Sequence, residues 1–81
     1  MNDDEMLMKL NKELNHIIVE LNKLQNLKYN TIEYVKLGSD MCGLIDIQEN
    51  IMKSYREVLM ARIVLLQNEM YEGAKNNEEK I

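Results

Sequence analysis

The stretch LMKLNKELNHIIVELNKL, residues 7–24, decides the fold. Its apolar residues recur at alternating spacings of three and four, which is the seam of a heptad pattern. The seam residues are Leu7, Leu10, Leu14, Ile17, Leu21 and Leu24. The run covers only about two and a half heptads, fewer than an extended coiled coil needs. The stretch therefore predicts a helix that packs against another helix in a small bundle.

The composition favours helix along the whole chain. The 81 residues include no Pro, Phe or Trp and only three Gly, and Leu, Met, Glu, Lys and Gln are abundant. These abundant residues have high helix propensity, and no alternation of β-branched and aromatic residues indicates a sheet. The predicted fold class is all-α, and a chain of this length forms one domain at most.

A turn signal at Gly38, Ser39 and Asp40 divides the chain into halves of similar length. Gly38 can take the left-handed conformation that ends a helix, and either of the next two residues can cap a following one. Asn30, with Glu33 three residues later, is a second helix-start signal. The chain is thus predicted to form an antiparallel hairpin of two long helices, the first either continuous or broken near residue 30.

The second half carries four apolar pairs at seven-residue intervals, on a helix predicted from about residue 40 to 72. The pairs are Leu44 and Ile45, Ile51 and Met52, Val58 and Leu59, and Leu65 and Leu66. Met60, Ile63 and Val64 lie off this stripe, so the helix is apolar nearly all round between residues 58 and 66. One helix from the same chain cannot cover both sides, which indicates a second chain at that level.

A chain this short has a marginal core, so its stability needs a supplement. Cys42 is the single cysteine, which excludes an intrachain disulfide, and His16 alone cannot complete a metal site with it. We therefore predict that a hairpin domain at residues 1–73, followed by a polar tail at 74–81, assembles into a homo-oligomeric helical bundle, a dimer or higher. The predicted oligomer interface consists of Leu44, Ile51, Val58, Leu59, Ile63, Leu65 and Leu66.

Charge and hydropathy argue against several classes of function. The net charge is −4 and the basic residues are interspersed with acidic ones, so the basic patch of a protein that binds duplex nucleic acid is missing. The start, MNDDEM, is acidic where a signal peptide is basic, and the apolar runs are too short to cross a bilayer. We expect a cytoplasmic protein without membrane association. Ten Asn and eight Lys beside two Arg suggest an AT-rich coding sequence, as in many small phages.

Arg62 is the sharpest candidate for a binding residue, because it lies in the most apolar stretch of the chain. The residues three and four positions away are all apolar: Val58, Leu59, Leu65 and Leu66. No acid on its own helix can therefore pair with it. We expect its counter-charge to come from Glu20 or Glu33 in the first half, from another chain or from an anionic ligand, unless the side chain reaches solvent.

A column of Gln48, Tyr55, Arg62 and Glu69 runs at seven-residue intervals along the edge of the apolar stripe. One interpretation is the polar rim of a bundle. The other is the wall of a pocket between chains, in which Tyr55 stacks on a planar group and Arg62 binds an anion. Arg56, which also lacks an acid three or four residues away, is a further candidate ligand residue in that case.

No catalytic, cofactor-binding or metal-binding pattern is present, so we expect a protein that is not an enzyme. Cys42 has no base near it in sequence and is interpreted as a small, half-buried thiol, and His16 as an exposed side chain. The sequence predicts a small protein–protein interaction module, an inhibitor, adaptor or regulatory subunit, whose seven methionines suit an adaptable apolar surface. The alternative is a protein that binds or sequesters an anionic small molecule, such as a nucleotide, between chains.

Overall fold

The computed structural model describes the backbone of residues 2–79 and the side chains of residues 2–73. Within that part the chain is all-helical and contains no strand, which confirms the predicted fold class. The helices are α1 (Asp3–Tyr29), α2 (Thr31–Val35) and α3 (Ser39–Glu79).

The long helices α1 and α3 pack against each other along an elongated molecule with extents of 66 × 20 × 15 Å. Lys28, near the end of α1, forms an ion pair with Asp46, near the start of α3. Leu10, near the start of α1, lies in the same core cluster as Leu66, toward the end of α3. The two helices therefore run antiparallel, as a hairpin.

The break near residue 30 is present, but it does not use the capping box that the sequence predicts. Asn30 has φ −82° and ψ 78°, and its side chain makes no capping hydrogen bond. That ψ lies outside the extended conformation in which an N-cap side chain reaches the first amides of a helix. Glu33 instead forms an ion pair with Lys36 at 3.3 Å. The first half of the chain is thus a long helix followed by one short turn of helix.

Gly38 takes the left-handed conformation that the sequence predicts, but Ser39 and Asp40 lie inside α3 and do not precede it as caps. Its φ is +89°, in the left-handed region, and α3 begins at the next residue. The amide of Gly38 donates to the carbonyl of Val35 at 3.1 Å, and the carbonyl of Gly38 accepts from the amide of Cys42 at 3.0 Å. Gly38 is therefore the last of the three residues, 36–38, that link α2 to α3.

The last helix is longer than predicted. It continues past Gly73 to Glu79, so most of the segment predicted as a polar tail is helical, while residues 80 and 81 lie outside the described part of the chain. The segment after Gly73 is rich in helix-favouring Ala, Lys and Glu and contains no Pro. A single glycine costs a helix only about 1 kcal/mol, which such neighbours tolerate.

The core is one seam between α1 and α3. Every residue of the predicted seam from Leu7 to Leu24 is buried or half-buried. We call the buried side of α3 its inner face, formed by Ile45, Met52, Leu59, Ile63 and Leu66. Leu59 and Leu21 are almost completely inaccessible, at 0% and 1% exposure. The hairpin is therefore held by a single layer of aliphatic contacts.

Candidate interaction surface

Each of the four apolar pairs on α3 is split between two faces of the helix. The second members lie on the inner face against α1, whereas the first members are exposed. Their exposed fractions are 63% for Leu44, 63% for Ile51, 52% for Val58 and 62% for Leu65. Adjacent residues on an α-helix point about 100° apart, so α1 covers one member of each pair and leaves the other uncovered.

The uncovered residues form a second heptad seam, which we call the outer row. Its positions recur at spacings of three and four and are Leu44, Ile47, Ile51, Ser54, Val58, Ala61 and Leu65. All seven are exposed. Leu59, Ile63 and Leu66, which the sequence placed in the oligomer interface with part of this row, are instead buried against α1. A helix with apolar residues on two faces is typical of a helix with neighbours on two sides.

Arg62 lies at the edge between the inner face and the outer row, and it is exposed. Neither candidate counter-ion pairs with it, because Glu20 forms an ion pair with Lys23 at 3.2 Å and Glu33 with Lys36. Arg62 makes no ion pair with any residue whose side chain the structure describes. Its position within an apolar stretch of sequence therefore does not make it a buried charge.

Glu13 on α1 is an acidic neighbour of Arg62 in the fold that the sequence analysis missed. Both side chains line one shallow depression together with Met6, Lys9 and Leu10. Counting outward along both helices from the Lys28 and Asp46 pair brings Arg62 level with Lys12 and beside Glu13. Gly38 marks the turn of the hairpin in the sequence. Counting along both helices from that turn was the signal that could have identified Glu13 as a neighbour of Arg62.

Tyr55 joins the same edge of the hairpin. Its pKa is raised, first by burial and then by the negative charge of Glu13, and the positive charge of Arg62 opposes this rise. Arg56 is not part of this group: it is half-buried, and its Nη2 lies 3.4 Å from Oε1 of Glu57. Two of the three predicted ligand residues, Tyr55 and Arg62, therefore come together, but the carboxylate of Glu13 on α1 lies beside them.

A polar cluster at the turn end of the hairpin also escaped the sequence analysis. The amino group of Lys28 lies 2.7 Å from Oδ1 of Asp46 and 2.9 Å from Oε1 of Glu49. The Tyr34 hydroxyl lies 3.0 Å from Oδ1 of Asp46 and 3.0 Å from the carbonyl oxygen of Cys42. The thiol of Cys42 in turn donates to the carbonyl oxygen of Tyr34 at 3.2 Å. The cluster connects all three helices.

The electrostatics of this cluster follow from its hydrogen bonds. The hydrogen bonds to Asp46 and Glu49 raise the pKa of Lys28, and Lys28 lowers the pKa of each carboxyl group. Burial, followed by the hydrogen bond to Asp46, raises the pKa of Tyr34 to about 12. At neutral pH the ammonium group of Lys28 thus lies between two carboxylates, each stabilised in its charged form, and this suits a structural joint better than a reactive site.

The described side chains contain no group of three or more His, Cys, Asp or Glu residues placed to hold a metal ion. Cys42 is half-buried and His16 is exposed, as the sequence predicts. None of the helices within residues 2–79 combines the length and the apolar character needed to cross a bilayer.

No protein-family model, curated protein or solved structure matches this chain. A functional proposal therefore rests on the structure of the chain itself, and in particular on the exposed outer row of α3.

Proposed function

We propose that the chain is a non-enzymatic protein–protein interaction module, an inhibitor, adaptor or regulatory subunit, that acts as an oligomeric helical bundle. The observation that carries this proposal is the outer row, a heptad seam on α3 that α1 does not cover. Contiguous exposed apolar surface of this kind marks interaction sites on soluble proteins.

The free energy gained by burying the outer row supports a protein as its occupant. Burying a Leu, Ile or Val side chain completely contributes about 1.5–3 kcal/mol. More than half of each side chain remains exposed at Leu44, Ile51, Val58 and Leu65, so covering them recovers roughly 1 kcal/mol each. The sum is several kcal/mol per chain, a large share of the ~5–15 kcal/mol that stabilises a typical domain.

The arrangement of the row favours a helix as the partner element. Its positions continue over six helical turns at alternating spacings of three and four, which roughly spans residues 44–65 or ~32 Å of helix. Recognition of one helix by another uses anchors at this spacing. Ser54 and Ala61 in the row are small, so a partner backbone can approach closely there.

Binding of an anion between chains has less support. The pair of Tyr55 and Arg62 shares its edge with Glu13, whose carboxylate would repel an anion at that point. Arg56 does not join the pair. An interaction surface therefore remains the better explanation of α3 than a ligand pocket.

A photo-crosslinking experiment tests the proposal. A benzoylphenylalanine residue is placed at Ile51 or Val58 in the outer row, and at Gln67 or Tyr71 as controls, which are exposed positions of α3 away from the row. We expect protein adducts from the two row positions after irradiation in the native host, and few from the controls. Equal labelling from both pairs, or none from either, contradicts the proposal.

Native mass spectrometry separates the proposal from its alternative. We expect the purified protein to appear without a bound anion. An anion that is retained by the unaltered chain and lost in Arg62→Ala, with the assembly otherwise intact, would establish the ligand-binding function instead.

A further inference from the structure

We infer that the outer row is covered by a second copy of this chain, with its α3 packed antiparallel to the first and a two-fold axis beside Ser54. This inference rests on the proposed function, because it names the partner of the same surface. The dimer then contains two central α3 helices, each carrying its own α1 on the inner face.

The outer row is self-complementary when it is reversed about Ser54. Its order is Leu, Ile, Ile, Ser, Val, Ala, Leu from residue 44 to residue 65. Reversal brings Leu44 level with Leu65 of the second copy, and Ile51 level with Val58. A two-fold dimer uses the same patch on both chains, and this match is compatible with such symmetry.

The volumes of the paired residues also match in the antiparallel arrangement. Ile47 comes level with Ala61 of the second copy, so a large side chain faces a small one at two symmetric places. Ser54 faces itself at the axis, where the two backbones come closest. Alternation of large and small residues lets facing helices interdigitate without voids.

A parallel pair in the same register fits less well. It would place Ala61 level with Ala61, Ser54 level with Ser54 and Ile47 level with Ile47. Two levels would then hold only small side chains, and a gap at such a level loses the contacts that stabilise a packed interface. The dipoles of two parallel α3 helices would also be aligned side by side, whereas antiparallel helices oppose them.

The residues that flank the outer row are compatible with the antiparallel pair. On one side, Arg62 comes level with Gln48 of the second copy, and Tyr55 with Tyr55. On the other side, Glu57 comes level with Asn50 of the second copy. No two like charges meet along either flank, so electrostatic repulsion does not oppose this register.

Single-cysteine crosslinking of the full-length chain tests the orientation. In a Cys42→Ser background, Ile47→Cys and Ala61→Cys variants are oxidised separately and as a mixture. We expect a disulfide-linked dimer only in the mixture, because residue 47 then faces residue 61 of the second copy. Two copies of residue 47 would be ~20 Å apart along an antiparallel pair, beyond the ~7 Å between Cα atoms that a disulfide allows. Efficient linkage of Ile47→Cys with itself would show a parallel pair and overturn the inference.

The assembly itself is tested by light scattering after gel filtration. We expect a dimer, and we expect Val58→Asp to weaken it on the order of 100-fold, since a carboxylate would be buried against Ile51 of the second copy. Gln67→Glu adds the same charge at an exposed position on the side of α3 away from the outer row, and it should leave the dimer intact. Because Val58 is exposed within one chain, the helical circular dichroism of Val58→Asp should be unchanged. The crosslinking test with the cysteine variants is independent of this substitution.

The outcomes separate this inference from the proposed function. A monodisperse monomer that still gives photo-crosslinks from the outer row to another protein overturns the inference and the oligomeric part of the proposed function, and it leaves the protein–protein interaction module standing. A monomer without such crosslinks overturns both.

Discussion

The amino group of Lys28 lies 2.7 Å from Oδ1 of Asp46, and this pair joins the last turns of α1 to the first turns of α3. The same carboxylate oxygen lies 3.0 Å from the hydroxyl of Tyr34 on α2. One carboxylate thus receives hydrogen bonds from both preceding helices. Since the core of the hairpin is a single aliphatic seam, this polar joint stabilises the register in which α1 and α3 pack.

The joint predicts a loss of stability in acid. Lys28 lowers the pKa of Asp46 and of Glu49 below their ordinary values of 3.8 and 4.5. Between the folded and unfolded pKa values the unfolded chain binds more protons, so the free energy of unfolding falls as pH decreases from the unfolded pKa values to the folded ones. Urea unfolding followed by circular dichroism at pH 5 and pH 3 measures the slope, and Lys28→Met should flatten it. Lys23→Met, which removes only an exposed pair with Glu20, should keep the slope.

An alkaline loss of stability is expected from Tyr34. Its pKa is raised from 10.0 to about 12 by burial and by the hydrogen bond to Asp46. Between these two values the folded chain holds the proton more often than the unfolded chain does, so the free energy of unfolding decreases as pH rises. The slope should be shallower in Tyr34→Phe than in Tyr29→Phe, whose ring is 85% exposed. Identical slopes in the two variants would show that Tyr34 does not contribute.

Opposite shifts are expected at Tyr55 when its two charged neighbours are removed separately. Glu13→Gln should lower the pKa of Tyr55, because a nearby negative charge disfavours the tyrosinate. Arg62→Met should raise it, because a positive charge that favours the tyrosinate is lost. Titration of the ring carbons by NMR measures both. Shifts of the same sign would mean that one of the two residues lies elsewhere.

Two glycine substitutions are expected to change stability in opposite directions. Gly38→Ala should destabilise the hairpin by about 1–2 kcal/mol, because φ at this position is +89° and a side chain disfavours that region. Gly43→Ala should stabilise it by about 0.5–1 kcal/mol, because this glycine lies inside α3 and an added Cβ meets open space. Thermal and urea unfolding of the two variants would reveal the difference in sign.

Truncation of the inner face is expected to be the most damaging single change. Leu59→Ala should cost about 2–5 kcal/mol, the range for a fully buried leucine. Met60→Ala, one position along and exposed outside the outer row, should change the free energy of unfolding by less than ~1 kcal/mol. A comparable loss in both variants would indicate that Met60 is covered in the assembled protein.

The sequence predicted the elements that depend on local pattern. The spacing from Leu7 to Leu24 identified the buried seam of α1, and Gly38 identified the reversal, because both depend on residues close together in the chain. The choice between the members of each apolar pair on α3 could not be made, since Val58 and Leu59 are equally apolar and point only about 100° apart. Which of them faces α1 is decided by packing.

Local sequence pattern could not predict the side-chain contacts between helices. Lys28 lies just beyond the α1 seam, and nothing in its own stretch of sequence shows that it pairs with Asp46 and Glu49 on α3. Glu13 was missed as a neighbour of Arg62 for the same reason. These contacts depend on the relative level of the two helices, which the length and geometry of the α2 turn determine.

The reactivity of Cys42 can report how often the turn of the hairpin opens. Its half-buried thiol donates to the carbonyl oxygen of Tyr34, so a labelling reagent gains full access when α2 separates from the start of α3. The rate at which the single cysteine of the chain is alkylated therefore measures how often the turn opens, and no engineered residue is needed. Comparing this alkylation rate with the rate of global unfolding distinguishes local opening of the turn from unfolding of the whole hairpin in the unaltered protein.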